Sequence, residues 1–480
     1  MKKFAKIISS PDLKKASARD LNEKPKYDYE DIQIDDSLKD LLKNKRYFIR
    51  TYGCQGTLRD SEVIAGILKN IGYVETDDIK QADIIVLNTC CVRENAEKKV
   101  FGEIGTLKSL KQEKPDLLIC ICGCMVQQEH IVSNIINNYQ QVDIVFGTHN
   151  IHELPKLIKE SITNNQRIID VLSNQGDIKE KLPSCRASLF KAWVNTMYGC
   201  NKFCTYCIVP YTRGKERSRK SKDILDEVRE LKELGYKEIT LLGQNVNAYG
   251  KDIDDLSFPQ LMEQIALTGI ERIRFTTSHP WDFSDELIDV IAKYPNIMNH
   301  IQLPVQSGDD GILRLMGRRY TSKQYIELVE KIRNKIPDVS LTTDIIVGFP
   351  NESEEAFNNT LALCEKVKYD GAFTFIYSPR VGTPAWKIKD NVPLETKKIR
   401  FNKLTATIAK YQLEKYRTYE GKIIKVLVDG PSKKNAEILS GYSEDMKLVN
   451  FKGKKEMIGK IVNVKITKAK TYTLEGEQVE

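Results

Sequence analysis

Strand-like and helix-like segments alternate along most of this 480-residue chain, and that alternation constrains the fold more than any other feature. In the first part, short apolar runs are separated by helical patterns; the runs lie at 47–52, 84–87, 117–121 and 142–146. Short apolar runs joined by helices are typical of parallel strands with both faces covered. We therefore predict an α/β domain with a doubly wound parallel sheet at residues 45–165.

The same alternation continues on a larger scale at residues 186–416. Six strand candidates lie at 193–197, 238–242, 272–276, 299–303, 341–347 and 373–377, with helical patterns between them and a long helix at 394–417. Six consecutive β–α units predict a partial (β/α)6 barrel. In barrels of this kind the chemistry takes place at the carboxyl ends of the strands.

The remaining segments differ in composition. Residues 1–44 are charged and lack a long apolar repeat, so we expect a poorly ordered extension with one short helix near residues 38–42, and residues 166–185 form the predicted linker. Residues 417–480 contain short Val and Ile runs broken by glycines, which predicts a small OB-like β-barrel. Residues 421–470 carry 12 lysines and 5 acidic residues, almost the whole net charge of +8. A basic module of this kind allows a nucleic-acid partner without proving one.

The composition excludes several classes of protein. A hydrophobic share of 41% and a charged share of 29% argue against a wholly disordered, collagen-like or coiled-coil chain. No apolar run approaches the ~20 residues of a membrane-spanning helix, and the N-terminus lacks the apolar stretch of a signal peptide. We expect a cytoplasmic protein with no membrane partner, whose 11 cysteines are metal ligands or buried thiols rather than disulfides.

Three cysteines follow the first strand of the predicted barrel in a CxxxCxxC pattern, Cys200, Cys204 and Cys207. Zinc ligands usually come in two separated pairs, and no fourth Cys or His stands at zinc spacing here. Three clustered thiolates instead suit a [4Fe–4S] cluster with one iron open, to which S-adenosylmethionine (SAM) can bind. The alternative is a chance grouping of buried or zinc-binding thiols.

A second set of cysteines, Cys54, Cys90 and Cys124, closes three strands of the first domain. Their spacings of 36 and 34 residues are each about one β–α unit. Since successive parallel strands end at one edge of a sheet, where ligands bind, the three thiols should converge there. A second cluster is one interpretation, and structural thiols are the alternative that the residues alone leave open.

We predict that most of the other cysteines are core residues. Cys120 and Cys122 alternate with apolar residues in a strand, and Cys364 lies on the apolar stripe of a helix, where a free thiol packs as a small hydrophobe. Strand alternation should turn the side chain of Cys91 away from its neighbour Cys90. We therefore expect Cys91 to be a spectator.

The CxxxCxxC pattern, with Tyr206 before its last cysteine, resembles the hallmark of the radical SAM superfamily, which uses a full or partial barrel. The run from Cys207 to Arg219, CIVPYTRGKERSR, resembles the methylthiotransferases of that superfamily. The run NTCCVRENAE at 88–97 resembles the branch that acts on isopentenylated adenosine in tRNA. The resemblance covers roughly residues 45–480 and includes a C-terminal module similar to the TRAM domain, which binds RNA.

The resemblance also implies roles for individual residues. It makes Cys54, Cys90 and Cys124 the ligands of an auxiliary [4Fe–4S] cluster. Four barrel strands end in polar or glycine-rich motifs; turn chemistry explains any one of them, but four at one rim favour a site. The residues implied to contact SAM, substrate or cofactor at this rim are Tyr206, Gln244, Asn245, Gln306, Ser307, Asp344, Arg213 and Arg219.

The implied reaction begins with reductive cleavage of SAM to methionine and a 5′-deoxyadenosyl radical. The radical takes hydrogen from C2 of N(6)-dimethylallyladenosine next to the anticodon, at tRNA position 37. A sulfur or methylthio group held at the auxiliary cluster then adds to C2, and a second SAM supplies the methyl group. The implied partners are the tRNA anticodon stem-loop, a reductase electron donor such as flavodoxin or ferredoxin, and a sulfur donor, and both thiol triads should border one cavity.

Two other functions stay open at this point. One is a methylthiotransferase that acts on threonylcarbamoyl-adenosine in tRNA or on an aspartate of a ribosomal protein. The other is an iron–sulfur RNA-binding module without catalysis. If the protein binds RNA, lysines of the last module are the expected phosphate contacts; examples are Lys433, Lys434, Lys452, Lys454 and Lys455.

Overall fold

The structure, a computed structural model, describes residues 4–18, 20, 23–91 and 94–479. It divides into two compact units. The first contains Met1–Ala187, Met197–Phe203 and Cys207–Arg219, and the second contains Ser188–Thr196, Cys204–Tyr206 and Lys220–Glu480. Among the described residues, no helix is both long enough and apolar enough to cross a membrane.

The first unit is built on a parallel sheet. Its elements up to residue 187 are β1 (Ala5–Ser9), α1 (Leu13–Ser17), β2 (Tyr27–Asp28), α2 (Asp36–Leu42), β3 (Arg46–Tyr52), α3 (Gln55–Asn70), β4 (Val74–Glu75), β5 (Ile84–Thr89), α4 (Glu94–Glu113), β6 (Leu118–Gly123), α5 (Glu129–Asn138), β7 (Ile144–Phe146), α6 (Leu154–Thr163), β8 (Arg167–Asp170) and β9 (Ile178–Lys179). Seven strands form one sheet in the order β1-β8-β7-β6-β5-β3-β4.

Helices cover both faces of this sheet, as a doubly wound fold requires. All six residues of β5 are buried, and alternate residues enter different cores. Ile84 and Val86 pack with α2, α3 and α6, whereas Ile85 and Leu87 pack with α4 and α5. This division follows from the two-residue repeat of a strand, and it explains why the strands read as continuous apolar runs.

The N-terminal segment and the predicted linker are both part of this sheet. β1 pairs in parallel with β8, with Ala5 opposite Arg167. The prediction of a poorly ordered extension at 1–44 is therefore wrong for residues 5–9, and the linker prediction at 166–185 is wrong for residues 167–170. The two strands are short and far apart in sequence, so no local pattern revealed their pairing.

The second unit contains the predicted barrel. Its strand β10 (Lys191–Asn195) is followed by three elements of the first unit, β11 (Met197–Tyr198), α7 (Val209–Thr212) and β12 (Arg217–Ser218). The barrel continues with α8 (Ser221–Glu233), β13 (Glu238–Leu242), α9 (Phe258–Leu267), β14 (Arg272–Phe275), α10 (Asp285–Lys293), β15 (His300–Gln302), α11 (Asp310–Leu315), α12 (Ser322–Lys335), β16 (Ser340–Val347), α13 (Glu354–Val367), β17 (Gly371–Ile376) and α14 (Leu394–Arg417). All six strand predictions are confirmed, as two parallel sheets, β10-β13-β14 and β15-β16-β17.

The C-terminal module is a closed β-barrel, as predicted. Its strands are β18 (Ile423–Ser432), β19 (Asn435–Ser443), β20 (Leu448–Lys452), β21 (Ile461–Ala469) and β22 (Leu474–Val479). The buried Lys447 donates hydrogen bonds to Asp370 at 2.9 Å and to Ser340 at 2.8 Å, and Arg272 donates to two backbone carbonyls of the module. Ser340 and Arg272 begin β16 and β14, so the module packs at the amino ends of the barrel strands.

Candidate active site

The structure brings the second set of cysteines together at one edge of the first unit's sheet. Cys90 and Cys124 directly follow β5 and β6, and Cys54 lies two residues after the end of β3; these three strands are neighbours in that sheet. Cys54 caps the start of α3 and is exposed, whereas Cys90 and Cys124 are buried. Their convergence follows from parallel strand order.

A fourth thiol lies in the same place. The thiols form two hydrogen-bonded pairs, Cys54 with Cys90 and Cys91 with Cys124. Cys91 also lies 3.7 Å from the hydroxyl of Thr212. Across the described ranges, no three His, Cys, Asp or Glu side chains are positioned to hold one metal ion. Cys91 therefore meets Cys124 at this site, and its role as a spectator stays a prediction.

Arg213 supplies the positive charge of this thiol site. Its Nε donates to the sulfur of Cys124 at 2.9 Å, and its Nη2 pairs with buried Asp60 at 2.5 Å. A hydrogen bond from Cys90, reinforced by the charge of Arg213, lowers the pKa of Cys54 to about 5. A hydrogen bond from Cys91, again with Arg213, lowers the pKa of Cys124. Because the thiolate is the form that binds metals, this environment favours ligation.

Two glycines allow the backbone to pass close to these thiols. A Cβ atom at Gly53 would lie 2.9 Å from the Cβ of Cys90. At Gly123, where φ is +98°, a Cβ atom would lie 2.3 Å from the carbonyl oxygen of Thr89. Only glycine avoids both contacts. The thiol donors, the buried cation and this close packing together fit a thiolate-bound iron–sulfur cluster.

We expect Cys91→Ser to leave the iron content unchanged after anaerobic reconstitution. A serine hydroxyl can still donate the hydrogen bond to Cys124, whereas Cys90→Ser removes a predicted ligand and should lower iron by up to half. Iron per chain and the iron–sulfur absorption band measure this. Cys185→Ser, at a half-buried cysteine elsewhere in the unit, is the control. An iron loss for Cys91→Ser equal to that for Cys90→Ser would make Cys91 a ligand.

The CxxxCxxC loop follows β11. Cys200 and Cys207 are half-buried residues of the first unit, and Cys204 is a buried residue of the second. Arg318 lies beside Cys204, with Nη1 3.6 Å from its sulfur, while Nη2 donates to the carbonyl oxygen of Pro304 at 2.7 Å. Pro304 comes just after β15, so Cys204 and its cation lie at the carboxyl end of the barrel strands.

The predicted pocket residues of the second unit lie on the same rim. Tyr206 packs against a buried apolar cluster that includes Met316 and Phe349. Gln244 lies two residues after the end of β13 and is half-buried, and the buried Asn245 donates to Asp282 at 2.9 Å. The rim position fits the predicted roles of these three side chains, which stay predictions.

Three predicted residues of this rim remain: Asp344 lies in β16, Gln306 is hydrogen-bonded to β16, and Ser307 is bonded to α13. The backbone N–H of Gln306 donates to the carbonyl oxygen of Asp344 at 2.9 Å, and the carboxylate of Asp344 accepts from Gln302, with both oxygens at 3.3 Å. The side chain of Ser307 is bonded to a helix and not to a barrel strand. It is 1% exposed, and its hydroxyl lies 3.3 Å from that of Thr360 in α13. Ser307 therefore fixes the loop to a helix.

The two arginines expected at the rim belong to the first unit instead. Arg213 serves the thiol site described above. Arg219 forms a two-point ion pair with Glu180, at 2.8 and 2.7 Å, and both side chains are buried. The sequence pattern shows the positive charges but not their partners, which lie far away along the chain.

The sequence alone did not point to some of the residues at these sites. Asp60 lies on the apolar face of α3, four and seven residues before Ile64 and Ile67, and an acid at that position is a signal of a buried ion pair. Asp282, whose side chain is fully buried beside Asn245, had no such signal. Val92 and Arg93, in the run that carries the branch resemblance, lie outside the described residues.

Comparison with known proteins decides the family. Residues 194–364 match the radical SAM superfamily, residues 46–147 match the uncharacterized protein family UPF0004, and residues 417–479 match the TRAM domain. The tRNA-2-methylthio-N(6)-dimethylallyladenosine synthase of Anoxybacillus flavithermus is 54% identical, covering 100% of this chain and 91% of that protein. The protein of the same name from Staphylococcus epidermidis is also 54% identical, covering 100% and 93%.

The chain belongs to the tRNA-2-methylthio-N(6)-dimethylallyladenosine synthase family. This family of radical SAM methylthiotransferases uses SAM and [4Fe–4S] clusters, so the predicted cofactors and fold class are confirmed. Among solved structures, the radical SAM methyltransferase TsrM from Kitasatospora setae has a TM-score of 0.51 and 13% identity, covering 72% of this chain and 77% of that one. That likeness concerns the fold alone.

Proposed function

We propose that this enzyme converts N(6)-dimethylallyladenosine, next to the anticodon of tRNA, to its 2-methylthio derivative. The observation that carries the proposal is the 54% identity over the whole chain to synthases named for this product. The two cation-backed thiol sites support it, because the reaction needs both a site for SAM cleavage and a site for sulfur.

The two thiol sets take different roles in this proposal. Cys200, Cys204 and Cys207 hold one [4Fe–4S] cluster, and Cys54, Cys90 and Cys124 hold the other. When bound, the clusters supply the electron that cleaves SAM and the sulfur that is inserted. Arg318 and Arg213 offset the negative charge of the thiolates beside them.

The polar side chains of the barrel rim bind SAM and orient the substrate. Tyr206 offers an aromatic face for the adenine of SAM, and Gln244 and Asn245 offer amide groups for its amino acid part. Asp282 fixes the orientation of the Asn245 amide. Gln306 and Asp344 complete the pocket from the neighbouring strand, where backbone hydrogen bonds hold them in place.

The partners follow from the reaction. The substrate is the anticodon stem-loop of a tRNA, which the TRAM module binds through its lysines. SAM cleavage needs an electron from a reductase such as flavodoxin or ferredoxin, and each turnover consumes sulfur from a donor. Since tRNA is the substrate, we place the enzyme in the cytoplasm.

The proposal is tested with reconstituted protein, SAM and dithionite, using stem-loops that carry dimethylallyladenosine, threonylcarbamoyl-adenosine or plain adenosine. We expect 5′-deoxyadenosine and a methylthio product with the dimethylallyl loop alone, measured by mass spectrometry of digested RNA. Product from the threonylcarbamoyl loop alone would assign the enzyme to that branch. No 5′-deoxyadenosine with any loop would indicate an RNA-binding protein without catalysis.

A further inference from the structure

The inner face of the barrel can be identified from the alternation of burial along β16. Thr343, Ile345 and Val347 are buried, whereas Asp344 and Ile346 are only half-buried. Successive side chains of a strand point to opposite faces. The buried row faces the surrounding helices, because the hydroxyls of Thr343 and of Tyr325 in α12 both donate to the carbonyl oxygen of Leu303. The half-buried row, in which Asp344 accepts from Gln302 of β15, therefore faces the interior.

An aromatic side chain of β17 shares this inner face. Phe373 is paired in register with Asp344, and Phe375 with Ile346. Residues paired in a parallel ladder point to the same side of the sheet, on strands about 4.8 Å apart. Thr374, between the two phenylalanines, points the other way, since its hydroxyl lies 3.3 Å from that of Thr405 in α14. Phe373 therefore lies beside the carboxylate of Asp344, inside the barrel.

Phe373 is unusual for an inward-facing apolar residue, because it is 55% exposed. A phenyl ring held open to the interior favours an apolar ligand, and each methylene group moved from water onto apolar surface strengthens binding about fourfold. The neighbouring carboxylate of Asp344 disfavours an anionic ligand. Phe373 and Asp344 together therefore favour a neutral, apolar ligand group over an anionic one.

We propose that Phe373 is a specificity-determining residue, which contacts the dimethylallyl group of the substrate adenosine, while Asp344 repels the anionic threonylcarbamoyl group. This inference rests on the proposed function and names the residues that choose between the two modified adenosines. The dimethylallyl group is a neutral five-carbon chain, which fits the phenyl surface. The threonylcarbamoyl group carries a carboxylate, which does not.

The test measures binding of fluorescent stem-loops to the full-length, reconstituted protein by anisotropy. The ratio of the Kd for the plain-adenosine loop to that for the dimethylallyl loop reports recognition of the prenyl group. We expect Phe373→Ala to lower this ratio about tenfold and to leave the Kd of the plain loop unchanged. Phe373→Leu should retain most of the ratio. Thr374→Ala, on the same strand but the opposite face, is the matched control and should retain all of it.

A second variant tests the charge. Asp344→Asn removes the repulsion while keeping the size of the side chain, so binding of the threonylcarbamoyl loop should strengthen relative to the other two. If Phe373→Ala keeps the wild-type ratio, or weakens all loops equally, the inference is overturned and the proposed function stands. If wild-type protein does not prefer the dimethylallyl loop over the plain one, the proposed substrate itself falls.

Discussion

A variant with Cys54, Cys90 and Cys124 all replaced by alanine is expected to produce 5′-deoxyadenosine from SAM but to form no methylthio product. The proposed SAM site is at the barrel rim, where Cys204 and Arg318 lie, so we expect SAM cleavage to need none of the three removed thiols. Sulfur insertion does need them, because they are the proposed ligands of the auxiliary cluster. Iron should fall from about eight to about four per chain if both clusters are [4Fe–4S].

The structure indicates that this triple variant should still fold. Arg213 loses the sulfur of Cys124 but keeps its ion pair with buried Asp60, so no charge is left unpaired in the interior. The reciprocal variant, with alanine at Cys200, Cys204 and Cys207, is the control. It should also keep about half of the iron but produce no 5′-deoxyadenosine. Methylthio product from the first variant would show that the auxiliary thiols do not hold the sulfur.

Replacing five exposed lysines of the C-terminal module by alanine is expected to weaken tRNA binding on the order of a thousandfold at physiological salt. The lysines are Lys433, Lys434, Lys452, Lys454 and Lys455. Each phosphate contact contributes a log–log salt slope of roughly −0.7 to −0.9, and five contacts multiply that effect. Titrations at several salt concentrations should therefore show a flatter slope as well as a weaker affinity.

Point variants are preferable to deleting the module. The buried Lys447 of the module pairs with Asp370 of the barrel, and deletion would leave that carboxylate without one of its partners. A matched control replaces five exposed lysines on the barrel helices, Lys222, Lys323, Lys331, Lys335 and Lys366. Their surface ion pairs contribute little to stability. If both sets weakened binding equally, the effect would come from total charge, and the module would not be the RNA anchor.

The sequence by itself determined the architecture of this protein and the identity of its thiols. Apolar runs of strand length between helical repeats are a local property, and they predicted the doubly wound sheet and the six barrel strands. The spacing of Cys54, Cys90 and Cys124 matches the length of a β–α unit, so their convergence followed from parallel strand order. The short Val and Ile runs and the excess of lysines at the C-terminal end likewise predicted a basic β-barrel module.

Only the tertiary structure decided which groups those residues meet. Arg213 and Arg219 look equivalent in the sequence, yet one donates to Cys124 and the other is held by Glu180. Cys91 reaches Cys124, and β1 completes a sheet through β8. Phe373 stands beside Asp344 because of strand register. Each of these contacts joins residues far apart in the chain, and a periodicity within one segment carries no information about the partner that another segment brings to it.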